Sequence, residues 1–244
     1  MFRWVAAIGL SALGSAGGLL VASSVLALAA DGRARVIPYL VSYAVGTLLG
    51  AALMGLLPEA LATLSPRVAA AALLAGVLVF FVVEKLVLWH HWHDDEACGV
   101  HKSTATLLIA GDAVHTFVDG VVIGAAVLVS VPLGVTTAMA IVAHEIPQEA
   151  GDFAILLAAG YSRKRAILLN VTSAAGGIIG AATMLLFGPA IPAAVPFVLA
   201  FAAGSFLYIA MADLIPTLHH GRLDRNAVRQ VLLIAAGVMT IAAF

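Results

Sequence analysis

Two strongly apolar stretches carry ionisable residues at helical spacing, GDAVHTFVDG at 111–120 and AHEIPQEAGD at 143–152. A charge at the centre of a bilayer costs several kcal/mol unless it meets a partner or water, so such side chains in lipid-soluble sequence need a reason to be there. On a helix Asp112, His115 and Asp119 follow one another at i, i+3 and i+7 and point to one side. In the second stretch His144 and Gln148 share a face, while Glu145, Glu149 and Asp152 share a neighbouring one. Packed face to face, the two helices bring imidazoles and carboxylates together at mid-membrane depth. Those donors form the coordination shell of a divalent transition metal, because imidazole suits zinc and iron and carboxylate oxygens complete the set. The plainer reading is a set of interhelical hydrogen bonds, and one buried polar residue in a membrane helix is often no more than that. Three on one stripe, facing five on another, favour a metal site or ion pathway. Gly120 and Pro147 beside these residues fit helices that bend or leave backbone carbonyls free.

The composition sets the solvent these helices live in. With 63% hydrophobic residues, 10% charged residues and a mean hydropathy of +1.10, the chain reads as a polytopic all-α membrane protein whose partner is the lipid bilayer. A net charge of -1 argues against nucleic-acid binding, which needs a basic face. The single cysteine, Cys98, excludes an internal disulfide.

Hydropathy and turn residues divide residues 1–244 into eight spans forming one transmembrane domain. Span one covers Trp4 to Ala29, span two Ile37 to Leu61 and span three Val68 to Leu88. After a polar interval, span four covers Ser103 to Val129, span five Val135 to Ala159 and span six Ala166 to Phe187. Span seven follows the proline-rich GPAIPAAVP turn and ends near Leu218, and span eight starts near Ala227. An Ala-x-Ala pattern at Ala27 to Ala29 resembles a signal-peptidase site, yet the apolar run is long for a signal and its small residues suit helix contact, so it reads as a true span. Placing both termini outside puts every lysine and arginine except Arg3 and Arg67 on or beside a cytoplasmic loop, which is the orientation the positive-inside rule expects.

Outside the two signature stretches, Glu59 and Asp213 lie near the ends of spans two and seven, where each either anchors its helix at the interface or lines the pathway. Both sit near a proline in similar strings, LMGLLPEAL and MADLIPTL, compatible with an inverted repeat relating the halves. Residues 90–102 form a cytoplasmic loop in which His90, His91, His93 and His101 join three acids and Cys98 as a metal-binding tract. The run HEIPQ also has the look of the HExxH zinc-protease motif, with Gln148 where the second histidine belongs. An intramembrane zinc-dependent hydrolase is therefore an alternative, and a proton-coupled carrier without metal is a second.

At these residues the chain resembles the ZIP (ZRT/IRT-like) family of divalent metal transporters. It is most similar to the subgroup whose signature helices read HNxxDG and HExPHExGD, here HTFVDG and HEIPQEAGDFAIL. LLPEA and FLYIAMADLIP look like that subgroup's second and seventh spans, so the resemblance covers nearly the whole chain. It implies transport of zinc, or of iron or manganese, into the cytosol through a site on spans four and five. The residues that would face the metal are His115, Asp119, His144 and Gln148, with Glu145 and Glu149 close by and Asp112, Thr116 and Asp152 secondary. Thr116 stands where the motif has asparagine and Gln148 where it has histidine, so one good metal position is expected. The resemblance and the small-residue faces further imply a homodimer, and the compact loops a bacterial cytoplasmic membrane.

Overall fold

The computed structural model describes residues 1–92, 102–218 and 225–244, and among these it forms eight long helices and no strand. In chain order they are α1 (Phe2–Leu26), α2 (Ala30–Gly50), α3 (Pro66–Trp92), α4 (Lys102–Val129), α5 (Val131–Ala158), α6 (Arg163–Phe187), α7 (Val195–Tyr208) and α8 (Arg225–Ala242). Two of them run on through a π-helical segment into a last α turn, α2 through Ala51–Leu56 to Leu57–Leu61 and α7 through Ile209–Leu214 to Ile215–Leu218. Six helical stretches are long and apolar enough to cross a membrane. Two are not among them: α8 is shorter, and α5 carries polar residues that lower its hydropathy, though neighbouring helices cover it and His144, Glu145, Glu149 and Asp152 are all buried.

Proline chemistry explains the π segments. Pro58 and Pro216 lack an N–H, and in a regular helix each ring would strike the carbonyl four residues back, at Met54 and Ala212. Widening the preceding turn moves that carbonyl aside. The residue before each proline makes the wider bond, Leu57 N–H donating to the Ala52 carbonyl and Ile215 N–H to that of Ala210. The two motifs coincide residue for residue.

That coincidence extends to the packing. Helices α1, α4, α5 and α6 form one group, and α2, α3, α7 and α8 form a second. Exchanging α1 with α6, α2 with α7, α3 with α8 and α4 with α5 carries the α2–α8 pair onto α7–α3 and the α1–α5 pair onto α6–α4. The closest crossings obey the same exchange. A Cβ on Gly46 would strike the Ile234 carbonyl, three residues before Gly237, and one on Gly204 would strike that of Leu73, three before Gly76. Register shows the sense: Gly14 meets Ile141 and Gly18 meets Glu145, so α1 runs parallel to α5 and opposite to α4 and α6. The repeat expected from the two proline strings is thus an inverted one.

Gly120, read from the sequence as a bend, has a packing role instead. A Cβ there would collide with the Gly177 carbonyl, and one on Gly180 with that of Phe117, so α4 and α6 touch backbone to backbone. Helix α1 is a packed member of the bundle, with Ser11 and Ser15 buried. Helix α2 starts earlier than its apolar stretch, at Ala30, because helical structure persists beyond the hydrophobic limit of a span.

Gly204→Ala is expected to destabilise the protein by about 1–3 kcal/mol, since a methyl group must displace backbone. Gly9→Ala, which meets nothing within 4 Å, is expected to leave stability unchanged or slightly raised. Thermal melting of the two variants in detergent checks the contrast.

Candidate metal centre

A single residue, Ser130, separates α4 from α5. Its side chain accepts a hydrogen bond from Leu133 N–H at 3.3 Å and caps α5, while Pro132 in the first turn needs no N–H partner. Gly134 lets the turn close, as a Cβ there would strike Val127. The two helices therefore leave the turn as a tight antiparallel hairpin, with their polar stripes toward each other.

At the middle of this hairpin His115, Asp119, His144 and Glu145 each offer one donor atom, and the four atoms lie within 4.8 Å of one another. His115 Nε2 and His144 Nε2 are 3.2 Å apart. Asp119 Oδ2 stands 3.7 Å from His115 Nε2 and 3.3 Å from His144 Nε2. Glu145 Oε1 stands 3.6 Å from the first imidazole and 4.0 Å from the second. Zinc bound to imidazole nitrogens about 2.0–2.1 Å away in a tetrahedron separates its ligands by about 3.3 Å, close to these spacings.

The surroundings turn these donors toward one another. His144 Nδ1 lies 3.1 Å from the Ala140 carbonyl, which can only accept, so Nδ1 carries the proton. In that tautomer Nε2 turns its lone pair toward the cluster, the way a metal-binding histidine is oriented by a hydrogen bond at its other nitrogen. Asp119 Oδ2 and both Glu145 oxygens are buried without a hydrogen-bond partner. Such groups cost about 1–3 kcal/mol each when left unsatisfied.

The remaining sequence-predicted residues separate by depth. Gln148 shares a face with His144 but sits one helical turn further along, roughly 5.4 Å. There its Nε2 donates to Asp112 Oδ1 at 3.2 Å, so it pairs with a carboxylate outside the four-residue group. Glu149 and Asp152 are buried at this second level, within electrostatic reach of Asp112. Thr116 does not face the cluster. Its hydroxyl donates to the Ser173 carbonyl of α6 at 2.8 Å and ties α4 to α6. Glu59 is half-buried in the last turn of α2, and Asp213 is exposed in the π segment of α7, within electrostatic reach of His115. His93 and His101 lie outside the described residues, as do the side chains of His90 and His91.

Glu145 joins the group although the sequence placed it on a neighbouring face. Gly18 of α1 explains how: a Cβ there would come within 2.8 Å of the Glu145 Cβ, so α1 presses against α5 at this residue. Two further residues, Phe80 of α3 and Phe206 of α7, touch the imidazoles at ring-centroid distances of 5.9 and 6.0 Å. Nothing in the local sequence marks them, since a phenylalanine in a membrane helix is ordinary.

Comparison with known proteins gives the chain a family. The family described as "ZIP Zinc transporter" matches residues 89–244. Zinc transporter ZIP13 of Pongo abelii is 35% identical over 220 residues, covering 84% of this chain and 66% of that protein. ZIP13 of Homo sapiens is 31% identical over 258 residues, covering 84% of this chain and 70% of its own. Zinc transporter zipt-7.2 of Caenorhabditis elegans is 38% identical over 141 residues, which is 56% of this chain and 30% of that protein. The chain thus spans about two thirds of the length of the ZIP13 relatives and less than a third of the nematode protein. The hydrolase alternative finds no support, because these relatives are transporters by name and Gln148 stays outside the candidate centre. With its apolar helices and this relationship, the chain is an integral membrane protein and belongs to the ZIP zinc transporter family.

Proposed function

We propose that this protein carries a divalent metal ion, zinc foremost, across its membrane into the cytosol, with residues 1–244 acting as one transporter domain. The observation that supports it most is that each imidazole Nε2 of His115 and His144 lies 3.2–4.0 Å from the other donors, Asp119 and Glu145 included, near the edge length of a zinc tetrahedron. The relatives are zinc transporters by name. In this reading the arriving ion sheds water and is taken by two imidazoles and two carboxylates, whose buried charge it neutralises. Gln148 and Glu149 stand one turn further along α5, with Asp112 of α4 paired to Gln148 and Asp152 beyond them, as a polar step on the way out, and Thr116 serves structure. Iron and manganese are alternative cargo, since the oxygen donors suit both.

The finer assignments rest on narrower grounds. The distribution of lysine and arginine supports both termini outside. The composition of residues 90–102 supports a cytoplasmic tract where His90, His91, His93 and His101 receive the ion, and Glu59 and Asp213 flank the path near helix ends. The family resemblance favours a homodimer. The short loops favour a bacterial cytoplasmic membrane, although the relatives compared come from animals.

In proteoliposomes, His115→Ala and Asp119→Ala are each expected to lose most zinc uptake and the zinc-dependent rise in melting temperature. Uptake at the wild-type rate by either variant sinks the assignment. Thr116→Ala is expected to lose about 0.5–1.5 kcal/mol of stability while keeping wild-type zinc affinity, which melting and zinc titration together resolve. Protons and metal compete for the same lone pairs, so uptake is expected to slow as the external solution is acidified and to recover on neutralisation. A rate that rises on acidification contradicts direct competition at this site.

A further inference from the structure

Four aromatic rings contact one another in succession at the candidate centre. They are Phe80 of α3, His115 of α4, His144 of α5 and Phe206 of α7, with successive centroid separations of 5.9, 5.5 and 6.0 Å. The first two contacts are edge-on, at interplanar angles of 73° and 85°, and the third is tilted at 58°. The imidazoles belong to the group of helices that carries the donors. Both phenyl rings come from the other group, so the second group contributes an apolar wall at each end of the imidazole pair. Phe206 is 1% exposed and Phe80 is half-buried.

A phenyl ring donates no lone pair to a cation, so these residues are not ligands. Their effect is on what else reaches the ion. Among the described residues no fifth histidine, cysteine, aspartate or glutamate joins the four-donor group. A fifth or sixth ligand must therefore come from another source, and water is the smallest. The rings take up space beside both imidazoles from which water would approach: the His144 side chain is 1% exposed next to Phe206, and that of His115 is 14% exposed next to Phe80.

Resting on the metal-transport reading above, we propose that Phe80 and Phe206 are specificity-determining residues: they keep water off the imidazole side and hold the site to four protein donors. Zinc accepts four-coordinate tetrahedral geometry readily, whereas manganese favours six oxygen ligands and magnesium holds on to several waters. The drier a four-donor site is, the more it favours zinc, and wetting it favours the ions that need the extra ligands. The discrimination comes from the second helix group, which supplies none of the four donors.

The test is competitive binding of Zn2+ and Mn2+ to the purified full chain in detergent, for wild type, Phe206→Ala, Phe206→Leu and Phe80→Ala. Phe206→Ala is expected to lower the preference for zinc over manganese on the order of tenfold, the scale of a gained water-mediated interaction. Phe206→Leu, which refills the space, is expected to restore most of it. A loss of structure alone lowers both affinities together and leaves their ratio unmoved. An unchanged ratio in Phe206→Ala overturns the proposal; where that variant does not fold, the same criterion applies to Phe80→Ala, whose ring is less buried. His144→Ala, run alongside, separates the two levels of inference. Loss of zinc binding in it upholds the metal centre whatever the rings do, and wild-type zinc binding overturns the centre and this proposal with it.

Discussion

The structure depends on one arrangement: two imidazoles and two carboxylates face one another inside an apolar bundle, with Asp119 Oδ2 and both Glu145 oxygens among the buried atoms that lack hydrogen-bond partners. In water such groups are cheap to leave apart. In a bilayer they have no solvent to turn to, and their proximity is stable only through a cation or through proton sharing between partners. The rest of the fold serves to hold that arrangement. Ser130 and Gly134 make the hairpin tight, Gly18 lets α1 press on Glu145, and Gly120 with Gly180 locks α4 against α6. The apolar exterior is bilayer-facing surface, and the chemistry is confined to the seam between α4 and α5.

Much of this is legible in the amino-acid sequence. Long apolar runs separated by turn residues are read directly as spans because lipid forces each segment to satisfy its own backbone, which makes hydropathy a strong signal. The two signature stretches announced their polar faces through helical periodicity. Depth along the axis was less legible. His144 and Gln148 fall on one stripe by spacing, yet a full turn separates them, and only packing decides which level meets His115. Glu145 was placed one face away and is brought in by the close approach of α1, an event encoded in a glycine 127 positions earlier that carries no local mark.

The inverted repeat shows the same division. Its proline strings were visible in the sequence because proline changes backbone chemistry wherever it stands, and each produces a matched π segment. Its packing half, Gly46 with Gly237 and Gly204 with Gly76, was not visible, since glycine is common in membrane helices and nothing in the sequence pairs one glycine with another. The phenyl rings that flank the imidazoles are a further case. Their identity is unremarkable in lipid-facing sequence, and their role arises wholly from where α3 and α7 bring them.

The one-residue link at Ser130 has a mechanical implication. A connection without slack couples the axial displacement of α4 to that of α5, so neither strand of the hairpin slides far past the other at that end. The link therefore keeps α4 and α5 together at that end, and the cross-group packing against α2, α3 and α7 is where the hairpin meets the rest of the bundle.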